Sequence, residues 1–576
     1  MNIVGITHGH NATVSLLKDN ALYFCQSEER FNRIKNSTGF PHETLEYLYQ
    51  NIIDPKDIDL VVIFEASVRG YTFLKRNNFK SFQYSSYLSP NEKFGSFIKK
   101  SWSIWHLTQF YFKNILEKNK FLIQESYQYF ENVCRVPIKK IKFIDHHEAH
   151  AFSTLGGITD WSKGLIFTLD AVGDYNCATV SIFENGEINK LEEDDYSNSL
   201  GAYYAAITSL LGMKSNEHEF KVMGLAPYGN KVYYENILND FRNLITVNSK
   251  GKFQSKVQPK SLHERLFKII KFQRFDNVAA AIQELTEELI LKWIKYWSEK
   301  YSCNNIAVSG GVFMNVKACQ RICEANFVEK FFVTPSSGDE SSAIGSVFWA
   351  HEQFNKSHTP IKLNDLYLGI QYSDKEIEKC LNELEIFQQF KVIKSDDINE
   401  LASELLADNE VIARFDGKME FGARALGNRS ILSSPKDFQV IEKINALIKV
   451  RDFWMPFTPS ILEEDMDKYI VNPKKIFAPY MSLTFNTTKL AHKELSAAIH
   501  PRDKTARPQC VVKTWNPKYH DLIYRFKMKT GIGAVLNTSF NLHGEPNVCS
   551  PYDAIKTFKN SGIKYLLIGN YLIEKY

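Results

Sequence analysis

A chain of 576 residues is too long for one hydrophobic core and is expected to split into two or three domains. Its 44% hydrophobic and 24% charged content is that of an ordinary globular protein, and 70 basic against 66 acidic residues, a formal charge of +4, argue against a dedicated DNA or RNA binder. Nine cysteines, an odd number with no CxxC pair, suit free thiols in a reducing compartment; with no basic lead or apolar leader at the N-terminus and no run near eighteen apolar residues, the expectation is a cytoplasmic protein without a membrane partner.

The first thirty residues read as strand 2–7, strand 12–17, a turn at Lys18-Asp19-Asn20 and strand 21–27, with His8, Gly9, His10 and Asn11 at the mouth. The pattern returns at 164–170, 178–183 and from 187 onward. Ala12-Thr13-Val14-Ser15 and Ala178-Thr179-Val180-Ser181, 166 residues apart, are each followed by a hairpin turn. That repeat predicts a duplicated α/β domain whose halves face each other across a cleft lined by the two polar loops. Between the copies, residues 40–52 read as a helix, 58–64 as a strand and 97–118 as aromatic-rich helical material.

A short apolar strand at 141–144 runs into Asp145-His146-His147-Glu148-Ala149-His150. Asp145 is a good helix N-cap, and a helix starting there puts His146 and His150 on one face, four residues apart, where they can share a metal ion. An HxxxH by itself is weak, since a metal needs further ligands. Beyond a helix at 200–211 and a polar segment at 217–229, residues 238–275 read as a mixed, basic excursion, and 279–300 as a long amphipathic helix. Two strand-loop-helix units follow, with Ser309-Gly310-Gly311 and Gly338-Asp339-Glu340 in their loops, where helix-start N–H groups attract phosphate. Asp339 offers the missing carboxylate, giving His146, His150 and Asp339 as the metal set with an open position.

A looser region at 354–365 is expected to lead to a further domain, with strands at 366–370, 390–393 and 411–415 and a helix at 398–406. Residues 416–430 are rich in glycine and arginine. Together with Lys449, Arg451, Lys504, Arg507 and the segment 536–546, they suit a phosphate-bearing ligand.

These residues resemble the NodU/CmcH family of O-carbamoyltransferases nearly end to end. The likeness rests on SEERF at 27–31 with Arg33, the histidine cluster, LDAVGD at 169–174, KVMGLAPYG at 221–229, SGGVFMN at 309–315, Gly338-Asp339 with AIG at 343–345, MEFGARALGNRS at 419–430, PFTP at 456–459, TAR at 505–507 with Gln509, and LNTSFN at 536–541 with GEP at 544–546. Asn11 stands where the family usually carries Asp, Ala423 where it carries Pro, Ser341 and Lys504 where Gly is common; none removes a candidate ligand.

The resemblance implies an α/β protein in two parts. Residues 1–355 would form a duplicated actin/hexokinase-like (RNase H-like) domain similar to the tRNA threonylcarbamoyladenosine transferase subunit, 356–390 a linker, and 391–576 an α/β domain similar to threonylcarbamoyl-AMP synthase. It implies that carbamoyl phosphate and ATP, with Mg2+, give carbamoyl-adenylate and pyrophosphate, and that the carbamoyl group then passes to a hydroxyl of a small molecule or sugar. His10 would be the acceptor base. Arg424, Lys449, Arg451 and Arg507 would serve the phosphates, while Asp170, Lys221, Gly310, Gly311, Asn315, Gly338, Ser539 and Asn541 would line the nucleotide and carbamoyl sites. His146, His150 and Asp339 would hold a divalent metal, Fe2+ first, with Zn2+ or Mn2+ as alternatives. DNA and tRNA are disfavoured as partners, and a homodimer is compatible with the chain. The rival readings are a threonylcarbamoyl transferase-like tRNA-modifying enzyme and an actin-like ATPase or sugar kinase; the second leaves the histidine pair and the arginine-rich domain unused.

Overall fold

The computed structural model describes residues 1–64, 128–354 and 361–576. The helical reading of 97–118 and part of the looser region at 354–365 lie outside those residues.

The duplication is a matter of strand order. Ile3–Thr7 (β1), Thr13–Lys18 (β2) and Ala21–Ser27 (β3) form an antiparallel meander, and Leu60–Phe64 (β4) and Ile141–Ile144 (β5) add parallel strands beyond β1, so the order is β3-β2-β1-β4-β5. Lys163–Gly173 (β6), Asn176–Glu184 (β7) and Glu187–Asp195 (β8) form a second meander. After a small hairpin of Ile245–Val247 (β9) and Phe253–Ser255 (β10), Asn305–Ser309 (β11) and Lys330–Val333 (β12) lie parallel beyond β6, giving β8-β7-β6-β11-β12. The two Ala-Thr-Val-Ser repeats lie at equivalent places, at the starts of β2 and β7. This is the duplicated actin/hexokinase-like arrangement, and it puts the loops after β1, β5, β6, β11 and β12 at carboxyl ends of parallel strands or of their partners, where such sheets carry their ligands.

The central strands β1, β4, β6 and β11 are apolar because they are covered on both faces, whereas the edge strand β8 is charged and largely exposed. The helix Phe275–Tyr301 lays Ile282, Leu285, Leu289, Trp293 and Trp297 against the second sheet, with Trp293 edge-on to Phe167 at 4.9 Å between centroids. Trp293 and Trp297 are each 1% exposed, so truncating either to alanine is expected to cost about 3–5 kcal/mol. The excursion at 238–275 is ordered: the Lys231–Arg242 and Leu262–Ile270 helices flank the β9-β10 hairpin, and their apolar faces join the same core.

The remaining chain forms an eight-stranded mixed sheet and a three-stranded one. In chain order the strands are Lys391–Lys394 (β13), Ile412–Phe415 (β14), Arg429–Ser433 (β15), Thr458–Leu462 (β16), Ile470–Val471 (β17), Phe485–Thr487 (β18), Thr505–Ala506 (β19), Gln509–Val511 (β20), Ala534–Ser539 (β21), Tyr565–Ile568 (β22) and Tyr571–Glu574 (β23). The large sheet runs β13-β23-β22-β14-β15-β21-β16-β20 and the small one β17-β18-β19. Residues 366–370, expected as a strand, are not one. They are buried irregular chain whose carbonyls at Leu366, Leu368 and Ile370 accept from Phe421, Cys25 and Met419, so that the segment bridges both parts of the molecule instead of pairing along one ladder. The capped helix Asp374–Glu383 follows and places Ile377 and Leu381 in the core of the eight-stranded sheet. All nine cysteines are free thiols, and no helix among the described residues is long and apolar enough to cross a membrane.

Candidate active site: a histidine-aspartate cluster and a cationic pocket

The helix His146–Ser153 begins as its sequence dictates. Asp145 Oδ1 accepts from the N–H of Glu148 at 3.1 Å, and the two histidines four residues apart share one face. His150 is fully buried and His146 2% exposed. Their Nε2 atoms converge on Oδ2 of Asp170, at 3.7 Å from His146 and 3.4 Å from His150, and on Oδ1 of Asp339, at 3.8 and 3.5 Å. The four donor atoms all lie within 4.8 Å of one another. Donors about 2.1 Å from a tetrahedral cation stand roughly 3.4 Å apart along each edge. The observed spacings are close to that, and His150 Nε2 is buried without a hydrogen bond. The residues therefore fit a divalent metal.

Asp170, expected to line the nucleotide site, is the fourth member of this cluster. It lies in β6, the first strand of the second copy, and its carboxylate is held by the N–H of Ala171 at 2.9 Å and of Gly311 at 2.8 Å. Gly310 lets the β11 loop make that approach: its φ is +105° and a side chain there would strike the carbonyl of Leu169. Gly173 is bare for a related reason, since a Cβ would lie 2.1 Å from the His146 ring. Burial alone would lower the proton affinity of His150, yet Asp170 and Asp339 outweigh it and raise it; burial would likewise raise Asp170, but His146 and His150 hold it well below the usual carboxylate range. His150 Nδ1 lies 3.4 Å from Ser309 Oγ and 3.5 Å from Ser342 Oγ, hydroxyls that orient the ring from behind. His147 points away and hydrogen-bonds Thr168 Oγ1 at 2.7 Å; burial first, then His146 and His150, push its pKa down to about 3. Glu148 accepts from Trp349 Nε1.

The cationic pocket is assembled differently. In the 419–430 motif most of the charge is used internally. Glu420 Oε1 accepts from the N–H groups of Leu426, Asn428 and Arg429 at 2.8, 2.9 and 3.1 Å. The fully buried Arg429 donates to carbonyls of Asp416 and Gly417 and lies 3.7 Å over the Phe415 ring. Arg424 makes no hydrogen bond or ion pair among the described residues, and neither does Arg507. Lys449, 3% exposed, donates to Asn541 Oδ1 at 2.7 Å and to Ser539 Oγ at 3.2 Å, and Arg451 donates to Thr538 Oγ1 at 2.8 Å. Between them Val450 adopts φ +46° and ψ +46°, a left-handed conformation unfavourable for a β-branched residue, after a π-helical turn at Asn445–Lys449. This strained corner turns Lys449 and Arg451 inward together.

The cations depress one another. Burial, then Arg451 and Lys35, take Lys449 well below the ordinary lysine range. Burial and Arg424 bring Arg451 to about 10, and burial, Arg424 and Arg451 take Arg507 well below the arginine range. Arg424 falls to about 10 through burial, against the opposing pull of Glu340. Lys35, which carries no local mark in the sequence, is thus an exposed member of this field. Its neighbours in the 27–33 motif dock the first half on the second: Arg30 donates to the carbonyl of Gly422, and Arg33 to those of Pro546 and Asn547.

Glu340, a loop residue with no role expected from the sequence, joins the two centres. It follows Asp339 in the chain, accepts from Asn11 Nδ2 at 3.1 Å and from Ser336 Oγ, and Ser336 Oγ in turn accepts from the N–H of Ala423 beside Arg424. His10 lies within electrostatic reach of Glu340 and Glu219. Gly338 sits in this loop with its Cβ position 2.5 Å from Glu340 Oε2. Asn315 is occupied, capping the Val316–Glu324 helix through Ala318 N–H and pairing with Gln283. Lys221 is paired with Asp452 at 3.0 Å, and Lys504 is exposed.

Known proteins match this chain over most of its length. Residues 2–348 match the family model described as Carbamoyltransferase N-terminus, and residues 403–575 that described as Carbamoyltransferase C-terminus. The chain is 32% identical over 583 residues to an uncharacterized protein of Methanocaldococcus jannaschii, covering 100% of this chain and 99% of the other. It is 28% identical over 575 residues to nodulation protein NolNO of Sinorhizobium fredii, covering 99% of this chain and 79% of that one. To 3'-hydroxymethylcephem-O-carbamoyltransferase of Amycolatopsis lactamdurans it is 28% identical over 296 residues, 51% of this chain and 53% of the other.

Proposed function

The chain belongs to the carbamoyltransferase family, and from that premise we propose how its residues divide the reaction. It is an ATP- and carbamoyl-phosphate-dependent O-carbamoyltransferase. In our reading the cationic pocket forms the carbamoyl-adenylate: Arg424, Lys449, Arg451 and Arg507 offset the charge of carbamoyl phosphate and of the triphosphate, and Ser539 and Asn541 hold the carbamoyl amide or a phosphate oxygen. The carbamoyl group ends on the α-phosphate of ATP, pyrophosphate leaves, and the phosphate of carbamoyl phosphate departs as inorganic phosphate with one water consumed. Mg2+ accompanies the ATP.

Transfer follows at the histidine-aspartate cluster. A divalent cation held there by His146, His150, Asp170 and Asp339, with Fe2+ the first candidate and Zn2+ or Mn2+ the alternatives, would supply charge neutralisation and Lewis acidity. Gly310, Gly311 and Gly338 leave backbone room for the nucleotide. His10 takes the proton of the acceptor hydroxyl, and AMP is released. The two duplicated sheets support a likeness of residues 1–355 to the tRNA threonylcarbamoyladenosine transferase subunit, and the mixed eight-stranded sheet supports a likeness of 391–576 to threonylcarbamoyl-AMP synthase. The names of the nodulation and cephem relatives favour a saccharide or small-molecule hydroxyl as acceptor, and the near-neutral charge disfavours tRNA. The free cysteines suit a cytoplasmic enzyme.

The observation that carries this reading is the set of buried and half-buried, mutually repelling cations, of which Arg424 and Arg507 have no hydrogen-bond or ion-pair partner among the described residues. The test is carbamoyl-phosphate-dependent exchange of labelled pyrophosphate into ATP by the metal-loaded protein. Exchange is expected; its absence overturns adenylation.

A further inference from the structure

Arg451 and Arg507 stand in two loops of the second half, and one short piece of the first half, residues 219–229, holds both. Lys221 Nζ lies 3.0 Å from Oδ2 of Asp452, the residue after Arg451, and the Lys221 carbonyl accepts from Trp454 Nε1 at 3.1 Å. Three residues on, the Gly224 carbonyl accepts from Nε2 of the buried His500 at 2.9 Å. His500 Nδ1 in turn accepts from the N–H groups of Arg502 at 3.2 Å and Asp503 at 3.3 Å, which fixes the turn leading to Arg507. The far side of that turn is tied to the first half as well, through Lys317 Nζ, 2.7 Å from Asp503 Oδ2 and 3.3 Å from Thr505 Oγ1. Tyr228 meets both loops, its ring 5.9 Å from those of Phe453 and of His500.

We propose that residues 219–229 are a clamp that sets Arg451 and Arg507 for polyanion binding, and that Lys221 is a positioning residue acting through Asp452, not a nucleotide ligand. A guanidinium recognises phosphate through a rigid fork, so its aim must hold to within about 10–20°. Like charges on the two loops push them apart; the sheet joins them only farther along the chain, where β16 pairs with β20 from Ser460 and Gln509 onward, whereas the 219–229 segment ties the loops themselves. The clamp makes the anion pocket depend on the docked first half. This deepens the two-centre reading above and rests on the cationic pocket binding a polyanion.

The test uses the full-length protein and inorganic pyrophosphate, with affinity read by calorimetry and pyrophosphate exchange measured in parallel. Lys221→Met and Asp452→Asn should each weaken pyrophosphate binding by about two- to fivefold, the double variant no further than either, and Lys221→Arg should restore most of it. In the exchange assay KM for carbamoyl phosphate should rise with kcat little changed. A direct ligand predicts the opposite sign at one position: Asp452→Asn removes a negative charge beside Arg451 and should then be silent or tighten binding, while Lys221→Met weakens it by about tenfold. That outcome overturns the clamp. If pyrophosphate binding follows the clamp pattern but carbamoyl phosphate supports no exchange, the adenylation reading fails and the clamp stands.

Discussion

The histidine-aspartate cluster and the cationic pocket face opposite electrostatic problems. In the cluster two imidazoles meet two carboxylates, so its members steady one another before any ion arrives, and hydroxyls and backbone N–H groups fix them from behind. In the pocket Arg424, Lys449, Arg451 and Arg507 bring four charges of one sign together, and the surrounding fold holds the cations against their own repulsion. A site of the first kind is preformed and changes little when filled. A site of the second kind is under stress when empty, so its ligand should stabilise the whole protein.

The sharpest way to break this contrast is Arg507→Ala. Pyrophosphate exchange should fall by about 10²–10³-fold, and the upward shift of Tm on adding pyrophosphate should disappear. Because Arg507 makes no hydrogen bond among the described residues, ligand-free Tm should hold or rise; a drop of several degrees would mean that repulsion does not govern the pocket. A smaller effect is expected from His150→Ala. Exchange should survive while carbamoylation of the acceptor falls by about 10- to 100-fold, with chelation giving the same split; loss of both activities would show that the centres are not separable. The smallest effect is on pH dependence. Lys449 is depressed by burial, then by Arg451 and Lys35, and Arg424 and Arg451 lie at about 10. A depressed cation is penalised in the fold at all pH values below its folded pKa, and the penalty lifts as pH climbs through that value. Ligand-free stability should therefore gain, and pyrophosphate affinity decline, between neutral pH and about 10, with Lys449→Met flattening both curves. A flat wild-type profile would place the depressed charges elsewhere.

How far the sequence reaches differs between the two centres in a physical way. His146 and His150 are legible because local rules suffice: an N-cap, a helical period and an apolar strand before them. The repeat in β2 and β7 is legible for the same reason. The place of Asp170 in the cluster is not legible, because nothing local says that the end of β6 faces the helix after β5; that follows only from pairing of strands far apart in the chain. The pocket cations Arg424, Lys449, Arg451 and Arg507 are visible as residue types, whereas Lys35 joins them from more than 380 residues away in sequence and carries no local mark. Residues 366–370 misled because an apolar run buried between two parts of a protein looks like a strand, whether or not a ladder is available to it.

Val450 carries one more consequence. A β-branched residue held left-handed is a compressed spring, and glycine at that corner would release about 1–2 kcal/mol. The released chain could also swing, and the two inward cations would lose their common aim. The corner is therefore a place where ease of folding and accuracy of grip are traded against each other, and the chain has kept the grip.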